Sequence, residues 1–146
     1  MIFDHITSRI SRAHLNTRIL FLVDALGAFL SVFLLGIVLV RFEGFFGMPR
    51  KTLYFLATFP AFFMIYDLAC YFGSKTNKKL LLKIIAYANI SYCCLSFGLV
   101  IHHYQKLTSI GLWYFVLELV VVIILASLEL KTATHIGHVH KSLGNK

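Results

Sequence analysis

LLLKIIAYANISYCCLSFGLVIHHY, residues 80–104, is apolar enough to lie in a bilayer yet carries a line of polar side chains. Counted from Asn89 at 100° per residue, Cys93, Ser96 and His103 fall within about 40° of it and Tyr92 within about 60°, so one face of this predicted helix is polar. A face turned to lipid would not carry these groups, because hydrocarbon offers them no hydrogen-bond partner. The stretch therefore reads as a helix whose polar side meets other helices or a cavity, and the rest of the chain must supply the partners.

Three further apolar runs do so. Residues 19–40 lie between Arg18 and Arg41, residues 52–73 follow a connection containing Pro49, and residues 110–130 precede a basic tail, residues 131–146, expected to be mobile. Each run has the roughly 20 residues that a helix needs to cross about 30 Å of hydrocarbon. At 146 residues, 59% of them hydrophobic, with a mean hydropathy of +0.81, the chain is too short for two ordinary domains and too apolar for a soluble one. The expected fold is all-α, a single membrane domain of four transmembrane helices running up and down. A short amphipathic interfacial helix over residues 1–18 precedes them, with Phe3, Ile6, Ile10 and Ala13 on one face and Arg9 and Arg12 turned away. A cleaved leader is the competing reading of this end, but the apolar run after Arg18 is longer than a signal core and no small-x-small site follows it. Pro60 lacks the N–H that would bond the Leu56 carbonyl and predicts a kink in the second span.

A net charge of +8 would suggest a nucleic-acid partner in a soluble protein. Here the Lys and Arg residues sit almost wholly between the apolar runs, where they act as topology signals and headgroup contacts, and no nucleic acid is implied. The N-terminal segment, the connection near residue 75 with its flank, and the tail carry ten of them; the other side carries four. Both termini are expected to face the cytoplasm, in an inner or plasma-type membrane.

The ionisable residues inside the spans carry the functional information. By helical rise, Asp24 and Asp67 lie about 9 Å inside the cytoplasmic boundary, Asn89 about 15 Å and Glu118 nearly 20 Å. These residues form a graded polar line. An acid near the centre of a membrane helix costs about 2.5–3.5 kcal/mol to insert, so each must be paired, hydrated or protonated. Lys83 is the only basic residue within the spans, and its long stem could bring its ammonium toward Asp67 or Asp24. One lysine cannot neutralise three acids, so Glu118 is expected to carry a proton or to bind a cation. Asp24, Asp67, Lys83, Asn89, Tyr92 and Glu118 are thus the candidate ligand- or proton-binding residues. Glu129, within a turn of Lys131, is expected to sit near the interface without a special role. A purely structural role competes for every acid, since interhelical hydrogen bonds also join membrane helices, at about 0.6 kcal/mol each.

Other chemistries find little support. There is no C-x-x-C, H-E-x-x-H, G-x-S-x-G or Gly-rich phosphate loop, so the chain reads as non-enzymatic and without a cofactor. His14 lies at the end of the bundle opposite His102 and His103, which removes the simplest bis-histidine haem within one chain. His135, His138 and His140, with His5 and His14, could gather a metal, but a tail with this spacing is no metal signature, and no metal site is expected. Cys70, Cys93 and Cys94 are odd in number and read as small buried apolar residues.

Four spans with an acid, Asp24, in the first resemble in layout the small multidrug-resistance exporters, which work as dimers and bind protons and cationic substrates at a membrane-embedded glutamate. No motif around Asp24 matches that family, so no site residue is carried across. The expectation is a transporter-like or channel-like protein whose carboxylates bind protons or a small cation. Four helices enclose little room, so transport implies a homo-oligomer. The alternative is an accessory or scaffold protein that binds a lipid or another membrane protein, with structural acids. Membrane lipids are the expected surroundings in either case.

Overall fold

The computed structural model describes residues 2–73 and 77–144, with side-chain detail from Thr17 to His138 outside residues 74–76. Helix α1 spans Ile2–Phe33 and continues into a π-helical stretch, Leu34–Leu39; α2 is a single turn, Glu43–Phe46; α3 spans Arg50–Phe72, α4 Lys78–His102 and α5 Ser109–Gly144. No strand occurs among the described residues. Within these elements four segments, Thr17–Leu39, Arg50–Phe72, Lys78–His102 and Ser109–His138, are long and apolar enough to cross a membrane.

Local chemistry sets the ends. Gly73 closes α3 by bonding its N–H to the Ala69 carbonyl, 2.9 Å away. Lys78 Nζ donates to the Cys70 and Gly73 carbonyls at 2.9 and 2.8 Å, placing a cation where the α3 dipole leaves orphan acceptors. Asn77 caps α4 by accepting from the Leu80 N–H. At the other end of the bundle the two short connections interlock: the Thr108 N–H donates to the Phe46 carbonyl at 3.1 Å, and the Thr108 hydroxyl donates to the Phe45 carbonyl. Gly47, which follows α2 directly, has φ +77°, and a Cβ there would overlap the Lys106 carbonyl. Gly47→Ala is therefore expected to lower stability by about 1–3 kcal/mol through left-handed strain plus that overlap. Thermal melting in detergent checks this, and an unshifted melting temperature would show that the turn yields freely.

The bundle is arranged inside out relative to a soluble protein. Leu26, Phe29, Phe62, Ile65, Trp113 and Leu117 are exposed, whereas Asp24, Asp67, Asn89, Ser96, Glu118 and Glu129 are buried. That pattern is compatible with a lipid surround, as are the four long apolar segments. The helices associate as two close pairs, α1 with α3 and α4 with α5, while the pairs touch each other sparsely at backbone level. Large side chains fill that seam. Leu35, Leu39, Leu53, Leu56, Tyr92, Val100 and Phe115 form one apolar cluster, and Phe21, Cys70, Leu82, Ile85 and Ala133 form another. The buried acids occupy the layer between the clusters.

Several expectations change. The segment of residues 1–18 is not a separate helix: α1 starts at Ile2 and passes Arg18 without a break. The face expected from Phe3, Ile6, Ile10 and Ala13 lies outside the described side chains. The stretch after residue 130 is not a mobile tail but a continuation of α5. Ala133 is fully buried, Ile136 packs beside it, and the stem of Lys79 lies where a side chain at Gly137 would go. That packing rewards helix where composition alone suggested none. Helix α3 runs on through Pro60. Cys70 and Cys93 are buried, but Cys94 is exposed, 100° around the helix from its neighbour.

Candidate functional site

Each long helix contributes one polar residue to a common layer: Asp24 from α1, Asp67 from α3, Asn89 from α4 and Glu129 from α5. Asn89 Nδ2 donates to Asp24 Oδ2 at 3.2 Å and, more weakly, to Glu129 Oε2 at 3.5 Å. The Asp24 carboxyl also neighbours both Asp67 and Glu129. Asp67 is 0% exposed, yet neither of its oxygens has a hydrogen-bond partner, and Glu129 Oε1 is likewise unpartnered. An amide has only two N–H donors, and this one serves two of the three carboxyls, Asp24 and Glu129, leaving Asp67 without one.

A second acid lies deeper in the bundle. The Tyr92 hydroxyl donates to Glu118 Oε1 at 3.1 Å, with Ser31 of α1 alongside, while Glu118 Oε2 has no partner. The rings of Phe59 and Phe63 pack on Tyr92 with centroids 6.1 Å away and hold the phenol in place. Between the two groups is a cavity of about 20 Å³ lined by Asp24, Ser31, Pro60, Asn89 and Tyr92 among others. It has room for about one water. Pro60, inside α3, leaves the Leu56 carbonyl without its usual N–H donor next to this cavity.

No cation balances these acids among the described residues. Lys83 is half-buried and makes no ion pair there, which corrects the expectation that its ammonium would reach Asp67 or Asp24. Its Cβ points about 120° away from Asn89, a divergence that the side chain does not overcome. The ion pair present is remote, Arg50 Nε to Glu43 Oε2 at 2.7 Å on the surface. No three His, Cys, Asp or Glu side chains among the described residues converge as metal ligands. The side chains of His5, His14 and His140 lie outside those residues.

Of the sequence candidates, the structure brings Asp24, Asp67 and Asn89 into one layer and joins Tyr92 to Glu118. It sets Lys83 apart. Glu129, expected at the interface, is instead 1% exposed and part of the layer. The signal that could have found it is the eleven-residue spacing from Glu118, three helical turns, which puts both glutamates on one face. Depth from Lys131 misleads, because α5 does not end there.

The chain matches no family model, and no curated protein or solved structure is significantly similar to it.

Proposed function

We propose that the interior carboxyls bind protons, or a small cation in their place, and that the protein acts in a transporter-like or channel-like role. Asp67 carries this reading: it is fully buried with both oxygens unpartnered, beside Asp24, and no base is in ion-pair reach among the described residues. Two ionised carboxyls 4 Å apart repel by about 4 kcal/mol at an effective dielectric of roughly 20. A proton shared between carboxyls, or a cation, removes that repulsion. On this reading Asp24, Asp67 and Glu129 make one station, Glu118 with Tyr92 makes a deeper one, and the small cavity lets a water bridge them. Asn89 orients the first station. A proton suits the space better than a hydrated metal ion, since the cavity admits only about one water. Both termini face the cytoplasm on this reading, and the narrow interior calls for a homo-oligomer if a larger ligand is to pass.

The same tight packing favours the second reading, an accessory or scaffold protein whose acids only hold the helices together. Proteoliposomes enclosing a pH-sensitive dye separate the two. An imposed pH gradient is expected to decay faster with the protein than without it, and Asp67→Asn and Glu118→Gln are each expected to slow that protein-dependent decay about tenfold or more. Folded variants that leave the decay unchanged would favour the scaffold.

A further inference from the structure

An open groove lies on the outer face of the α1–α3 pair, away from the buried acids. Two cavities meet there. The first is an open groove of about 530 Å³ lined by Phe29, Phe33, Tyr54 and Ala57 among others, almost wholly apolar. The second is a recess of about 470 Å³ lined by Arg41, Arg50, Val40 and Tyr54. They share Gly36, Ile37 and Tyr54, so the apolar groove runs directly into the two arginines.

The register explains the shape. Phe29, Phe33, Ile37 and Arg41 recur every four residues along the first span, as do Arg50, Tyr54 and Thr58 along α3. Side chains four apart stack on one helix face, so each helix presents a wall with an arginine at the same end of the bundle. The strip from Phe29 to Arg41 is about 18 Å long by helical rise. The floor is Gly36, within the π-helical stretch, where a Cβ would meet only the Ala57 methyl at 3.8 Å. A π turn is itself a departure that recurs where helices form sites. Arg41 has no partner among the described residues. Arg50 gives its Nε to Glu43 and keeps its terminal nitrogens uncommitted.

We propose that this groove binds one anionic phospholipid, its phosphate between Arg41 and Arg50 at the headgroup level and one acyl chain along Ile37, Phe33 and Phe29. Charge selects the occupant. A second copy of this chain docked through the same face about a two-fold axis along the membrane normal would set the arginine pairs against each other. A lipid phosphate instead meets two guanidinium groups suited to it.

Native mass spectrometry of the full chain released from detergent tests the assignment, with phosphatidylglycerol, phosphatidylcholine of the same acyl chains, and inorganic phosphate as probes. One phosphatidylglycerol per chain is expected, bound about tenfold more tightly than phosphatidylcholine. Arg41→Gln should bring the two lipids to parity. Glu43→Gln, which frees Arg50, should tighten phosphatidylglycerol, and Gly36→Leu should weaken both lipids by filling the floor. The arginine and glutamate positions are exposed, so those variants remain informative if Gly36→Leu fails to fold. Equal affinity for the two lipids in the unaltered protein, indifference to Arg41→Gln, saturation by phosphate alone, or a dimer that excludes lipid from this face would each overturn the proposal.

Discussion

Exchanging Asn89 for leucine is expected to destabilise the bundle by about 2–4 kcal/mol, well beyond the roughly 0.6 kcal/mol typical of a membrane interhelical hydrogen bond. The difference comes from what remains. Asn89 Nδ2 is the donor that reaches both Asp24 and Glu129. Without it those two carboxyls keep their burial and lose their partner, and an orphaned buried acceptor costs more than the bond itself contributed. Ser96 is the control. It is equally buried on the same helix, but its hydroxyl has no partner, so Ser96→Ala should change stability by less than about 0.5 kcal/mol. Reversible unfolding in mixed micelles measures both, and similar losses for the two variants would mean that the layer is held by packing alone.

Asp67→Asn should do the opposite and stabilise the protein by about 1–3 kcal/mol. The substitution keeps the shape, removes one of three adjacent acids and supplies N–H donors beside the Asp24 carboxyl. Its sign separates the two functional readings. If the acids exist to lock the helices, removing one loosens the lock and the melting temperature falls. If Asp67 is kept for binding, its burial is a standing cost, and the variant gains stability while losing proton movement. A fall in stability together with unchanged gradient decay would sink the binding reading outright.

Much of this arrangement was legible in the chain. The polar face of residues 80–104 announces a helix with interior business, and equal depth along antiparallel spans places Asp24 and Asp67 near each other on sequence alone. Depth arithmetic failed where a helix did not stop at its apolar run: α5 continues past Leu130, which moves Glu129 from an apparent rim into the layer. Lys83 failed for another reason. A long stem makes a distant pairing conceivable, but it does not turn a side chain around its helix. The π-helical stretch had no local signature either, since Leu34–Leu39 is as plausible an α-helix by composition. The lipid groove depends on that stretch and on the packing of two separate spans, and neither is written in one segment.

The pairing of helices has a consequence for biogenesis. The first pair, α1 with α3, brings Asp24 and Asp67 and no amide to meet them; the second, α4 with α5, brings Asn89 with Glu118 and Glu129. The second pair supplies donors to its own acids, Asn89 to Glu129 and Tyr92 to Glu118, whereas Asp24 of the first pair takes its donor from the second. A chain holding only the first pair would therefore leave Asp24 without the Asn89 donor.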